Sequence, residues 1–134
     1  MMNPTIGIEY GTSYRFIQKN RSNWFHPLGF AYFPDGAHHG ANHLEPGSTK
    51  SSSDCVMNNT CPTPLYFRNG MFLGDESDGS NSGIDVYRSE FFLGISEWSG
   101  KGEYSVMLTF DDEEYTNDIF YICHVRSLCR NGWI

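Results

Sequence analysis

Apolar and polar residues alternate along several short runs of this chain. Tyr104, Val106, Leu108 and Phe110 recur at every second position, the pattern of a half-buried strand. A second run, residues 119–125, is apolar on both faces, as expected of a strand covered on both sides. Ile119, Tyr121 and Cys123 share one face of it, so the thiol ends an inward row where the chain leaves the sheet. Near the start, Ile6, Ile8 and Tyr10 alternate with Gly7 and Glu9, and Tyr14, Phe16 and Gln18 alternate with Arg15 and Ile17. Residues 5–18 therefore read as the first strands. A polar turn over 20–23 leads into an aromatic segment, 24–33, centred on His26. Two apolar runs flank Asn69-Gly70, the preferred dipeptide of a two-residue hairpin loop, so residues 65–74 are predicted to form a hairpin. Residues 84–92 are read as a short strand or turn, and Ser96, Glu97 and Trp98 as a single helical turn. Phe91, Phe92, Leu93 and Ile95 are expected in the core, together with Phe16, Leu28, Phe30, Val106, Leu108, Ile119 and Tyr121.

Between these runs the pattern fades. From about residue 34 to 64 no regular period is found, and the stretch contains a histidine-rich loop with His38, His39 and His43, then a Ser/Thr-rich linker. An insert of this length is normally functional or mobile. The 134-residue chain reads as one domain without repeats, and its 16% aromatic content is enough for a large core. Many Gly, Pro, Ser, Asn and Asp residues break the runs into short pieces, which favours an all-β fold.

Charge and cysteines narrow the setting. A formal charge of −7 argues against nucleic acid or an anionic membrane as partner, and no apolar run is long enough for a spanning helix. The first residues lack the charged start and apolar core of a signal peptide, as expected of a mature form, a cut-out domain or an incomplete product. Cys55 and Cys61, and Cys123 and Cys129, form two close pairs, which suggests disulfides and an oxidising, extracellular compartment. The sequons at Asn20 and Asn58 suit a secreted glycoprotein.

Two segments carry a family resemblance. Gly102-Glu103-Tyr104-Ser105-Val106 through Leu108, followed by Tyr121-Ile122-Cys123, resembles the C-terminal half of the cupredoxins, the plastocyanin-like and multicopper-oxidase domains. Residues 16–30, with an Asn-rich turn before His26, resemble the family's strand and loop that delivers its first histidine ligand. The resemblance implies a cupredoxin-like Greek-key β-sandwich of about seven or eight strands, with residues 34–64 as a disulfide-stapled insert. It implies a type 1 copper site built on His26 and Cys123, since such a site needs two imidazoles and a thiolate in a plane. The family pattern departs at the second imidazole. Its position in the plastocyanin-like register is Arg126, in the oxidase register Leu128, and the oxidase axial position is Trp133. A third ligand would have to come from His124 or Cys129.

The same residues admit another arrangement, in which Cys123 bonds Cys129 across an easily closed loop and His26 is a satisfied polar residue at a strand end. His124 is then an outward-facing strand residue. His38, His39 and His43, with Glu45, lack a fixed geometry for a metal, and the carboxylates at 75–78 and 111–114 lack the spacing of a calcium loop. No catalytic triad order, phosphate loop or dinucleotide fingerprint occurs. The expectation is therefore a non-enzymatic extracellular module without a cofactor, its copper site degenerate, presenting its insert to a protein partner or larger assembly. The alternative is a copper-binding electron-transfer protein using His26 and Cys123.

Overall fold

The computed structural model describes residues 5–31, 64–74, 83–110 and 119–123. Their order is β1 (Thr12–Gln18), a 3-10 turn (Arg21–Asn23), β2 (Leu28–Ala31), β3 (Leu65–Arg68), β4 (Met71–Phe72), α1 (Ile84–Glu90), α2 (Ile95–Gly100), β5 (Tyr104–Phe110) and β6 (Phe120–Cys123). The strands form a four-stranded antiparallel sheet in the order β1-β5-β3-β4 and a two-stranded antiparallel pair, β2-β6. The fold is β-rich, with two short helices among the described residues.

β5 is the spine of the larger sheet. It pairs with β1 from Thr12↔Phe110 to Gln18↔Tyr104, and with β3 from Leu65↔Met107 to Arg68↔Tyr104. Its alternating row, Tyr104, Val106, Leu108 and Phe110, is buried, as the sequence period requires. Neighbours on both edges also bury Ser105 on the opposite row, where its hydroxyl accepts from Arg15 Nε at 3.0 Å. The β3–β4 hairpin turns at Asn69-Gly70, with φ of 51° and 75°, the paired left-handed conformation that matches strand twist.

Both helices close over the inward row of β5. Tyr87 meets Tyr66 at 4.7 Å and Phe91 at 4.9 Å between ring centroids, and Phe91 meets Tyr104 at 5.0 Å and Trp98 at 5.2 Å. Each such pair adds about 0.5–1.5 kcal/mol beyond its area burial. Phe30 is buried in the same core, and Phe16, Leu28, Ile119 and Tyr121 pack against it half-buried.

Several expectations are corrected. Residues 5–10 form no strand and are exposed, Ile6 by 51% and Tyr10 by 48%. Among the described residues the pairing of β1 with β5 ends at Thr12↔Phe110. Residues 84–90 form a helix rather than a strand or turn, since Ile84, Tyr87 and Phe91 recur at helical spacing and all three are buried. Phe92 leaves the core, 45% exposed, because its backbone continues the turn that buries Phe91 on the other side. Six strands occur among the described residues, and the seven or eight expected refer to the whole chain. The insert at 34–64 lies outside the described residues apart from buried Pro64, and so do Cys55, Cys61 and Cys129 with the disulfides expected of them.

Candidate functional site

The segment that carries His26 is held at almost every residue. Asn20 caps the 3-10 turn: its Oδ1 accepts from the Ser22 N–H at 3.1 Å, while Asn23 Oδ1 accepts from the Asn20 N–H at 3.2 Å. The indole N–H of Trp24 donates to the Leu93 carbonyl at 2.9 Å, tying the loop to the connection between α1 and α2. Phe25 takes φ of 70°, a left-handed backbone that a bulky residue rarely adopts, and its ring meets Phe92 edge-on at 4.9 Å. The His26 N–H donates to the Asn23 carbonyl at 3.0 Å. Pro27 is fully buried, and β2 begins one residue later.

Gln18, the last residue of β1, is buried beneath this loop. Its Nε2 donates to the His26 carbonyl at 2.7 Å, and its Oε1 accepts from the Leu28 N–H at 2.9 Å and from the Tyr87 hydroxyl. The amide orientation is fixed by its partners, since a backbone N–H can only donate and a carbonyl can only accept. Burial pushes the Tyr87 hydroxyl well above its ordinary range, and the nearby Tyr104 raises it further, so Tyr87 stays a donor to Gln18 at neutral pH.

β6 brings Cys123 to the same end. Leu28 and Cys123 are cross-strand partners in the β2-β6 pair. Two residues before Leu28, His26 turns its ring so that Nδ1 lies 3.5 Å from Cys123 Sγ. His26 is exposed and Cys123 half-buried, so the pair sits at the surface end of the strand pair. The contact joins residues 97 apart in sequence. A tetrahedral ion with bonds of about 2.3 Å to sulfur and about 2.0–2.1 Å to imidazole nitrogen spaces those two atoms roughly 3.5 Å apart. The pair therefore has the separation of one edge of a metal coordination shell. It equally suits a direct S–H···N or N–H···S contact.

The structure thus brings together His26 and Cys123. His124 and Cys129, the candidate further ligands, lie outside the described residues, as do Arg126, Leu128 and Trp133 and the loop histidines His38, His39 and His43. Among the described residues no three His, Cys, Asp or Glu side chains gather at ligand spacing, and no helix is long and apolar enough to cross a membrane. Asn20, the first sequon residue, is exposed at the cap of the 3-10 turn.

Comparison of the chain with protein-family models, with curated proteins and with solved structures returns no match. The chemistry of the site therefore follows from its own geometry. Sequence reasoning named both donors but missed what holds them: the Gln18 amide, the left-handed Phe25 and the Trp24 anchor. One signal was visible. In the inward row Thr12, Tyr14, Phe16, Gln18, the last side chain is a primary amide at a position expected to be buried, and such a group needs partners.

Proposed function

We propose that this chain is a cupredoxin-like domain of Greek-key sandwich type that binds a soft metal ion, copper first, between His26 and Cys123. The single observation that carries the reading is the 3.5 Å approach of His26 Nδ1 to Cys123 Sγ. Imidazole and thiolate together are the donor set that selects copper or zinc over hard cations. Copper, when bound, supplies one-electron redox chemistry. The chain supplies an exposed imidazole on a hydrogen-bonded loop and a half-buried sulfur, and a third donor would have to come from His124 or Cys129. The domain binds rather than catalyses, works outside the cell, and meets a protein partner or larger assembly.

One sequence observation favours a second reading. Arg126 and Leu128 stand where either family register needs its second histidine. On that reading the metal site is degenerate, Cys123 bonds Cys129, and the domain is a structural or interaction module.

One experiment separates the two. The full chain, purified without reductant, is unfolded and its thiols are counted, and a reduced sample is titrated with copper. The metal reading expects a titratable Cys123 thiol and one equivalent of bound copper, with an intense thiolate-to-copper absorption band lost in both His26→Ala and Cys123→Ser. Complete oxidation of all four cysteines, with no band in the reduced sample, leaves the interaction module.

A further inference from the structure

Gln18 hydrogen-bonds the backbone of His26 and of Leu28, the cross-strand partner of Cys123, without touching the donor atoms themselves. Its amide spans Pro27, which lacks an N–H, and pins the residues on either side of it: the carbonyl of His26 and the N–H of Leu28. Leu28 is in turn the cross-strand partner of Cys123. A single buried side chain therefore sets where the imidazole leaves the loop and where the strand facing the thiol begins. The amide is itself fixed from below by the Tyr87 hydroxyl, and Tyr87 is fully buried among Tyr66, Phe91 and Tyr104. The chain of contacts runs from the aromatic core, through one carboxamide, to the pair at the surface.

We propose that Gln18 is the positioning residue of the His26–Cys123 pair: it holds the imidazole at bonding distance from the sulfur and so sets the affinity of the site for a soft metal ion. The proposal rests on the metal-binding reading for its affinity arm, but its geometric arm is independent of any metal. Groups that orient a ligand through hydrogen bonds change metal affinity by roughly 10–100-fold when removed.

The selective variant is Gln18→Met, which removes every hydrogen bond of the amide. Methionine is of similar length to glutamine, so the space beneath the loop stays filled. Gln18→Glu is read beside it at a pH where its carboxyl is ionised, since the carboxylate accepts from the Leu28 N–H and the Tyr87 hydroxyl but repels the His26 carbonyl, whereas the protonated form would replace the amide donor. Two quantities are read on the full chain well below its melting temperature: copper affinity by competition titration, and the nuclear Overhauser contacts between the His26 ring protons and the Cys123 β-protons in metal-free protein. The expected result is weakened or lost ring-to-β-proton contacts and copper affinity lower by about 10–100-fold, with native chemical shifts kept in the aromatic core. Folded variants that keep the wild-type contacts and affinity overturn the proposal and leave Gln18 a purely structural residue. If the wild-type chain takes up no copper, yet the contacts are lost in the variant, the metal reading falls while the positioning role of Gln18 stands.

Discussion

The indole of Trp98 lies parallel to the phenol ring of Tyr104, with planes 2° apart and centroids 5.6 Å apart. This offset stack joins α2 to the first residue of the central strand, and both rings are essentially inaccessible to water. It is the point where the helical cover is fastened to the sheet.

Removing the indole tests that role. Trp98→Ala should cost about 3–5 kcal/mol, the range for deleting a large buried aromatic. Against the roughly 5–15 kcal/mol that holds a typical domain together, this is a large share. Urea unfolding should show a much lower midpoint with an unchanged slope. A loss below about 1 kcal/mol would mean that α2 is peripheral to the core.

Tyr104 carries a second consequence, in its pH dependence. Its hydroxyl donates to Glu90 Oε2 at 2.8 Å, beside the contacts of Glu90 with Arg68 and with Lys101 at 3.6 Å. Burial, and then the bond to Glu90, raise the Tyr104 hydroxyl above its ordinary value of 10.0. The folded state therefore holds this proton more tightly than the unfolded chain. The stabilisation is complete below pH about 10 and falls as pH rises above it, because the unfolded tyrosine ionises first. Tyr87 is raised in the same direction by burial and adds to the effect. Urea unfolding between pH 8 and 11 should show stability declining toward the alkaline end, more shallowly in Tyr104→Phe. An equal decline in both proteins would assign the alkaline loss to other groups.

These residues also show what could be read from the sequence. The β5 row and the hairpin at Asn69-Gly70 follow from local period and turn chemistry, and both were legible. The helix at 84–90 was not. It spans under two turns, its buried positions Ile84 and Tyr87 give only one helical interval before the chain turns at Phe91, and Tyr and Phe are common strand residues. Of the candidate site, the two donors could be named from residue type and a family pattern. Gln18 could be marked as a buried amide in need of partners, but not the partners themselves, because it meets Leu28 and Tyr87 through contacts 10 and 69 residues away in sequence. Nothing local marks such a partner.

The hairpin turn does more than reverse the chain. Asn69 Oδ1 accepts from the Glu103 N–H at 2.8 Å, its Nδ2 donates to the Lys101 carbonyl at 2.6 Å, and its own N–H donates to the Glu103 carbonyl at 2.7 Å. The carboxamide fills the space above Gly102, where an added Cβ would lie 2.1 Å from Asn69 Oδ1. Gly102 also has φ of 106°, open to glycine alone. Two changes should therefore act on one joint. Asn69→Ala, which loses two side-chain hydrogen bonds and the tolerance for a left-handed backbone, should cost about 2–3 kcal/mol. Gly102→Ala should cost at least as much, since strain and clash combine. Their double variant should fall short of the sum by more than about 0.5 kcal/mol in a denaturant-based mutant cycle. Full additivity would show that the two residues do not share this contact.

The loop before His26 offers a test in which glycine improves on alanine. Phe25 holds φ of 70°, which costs a residue with a Cβ about 1–2 kcal/mol. Its ring packs edge-on against Phe92 and also meets Trp24 at 5.4 Å, contacts that help offset the strain. Phe25→Ala removes the ring and keeps the strain, while Phe25→Gly removes both. In an ordinary strand or helix, glycine would be the worse substitution by roughly 0.5–1 kcal/mol. Here Phe25→Gly should be the more stable of the two by about 1 kcal/mol, or roughly 4 °C in melting temperature for a domain of this size. Thermal melts of the two variants side by side decide it. If alanine melts higher, residue 25 does not take the left-handed conformation in solution, and the imidazole that follows it leaves the loop in another direction.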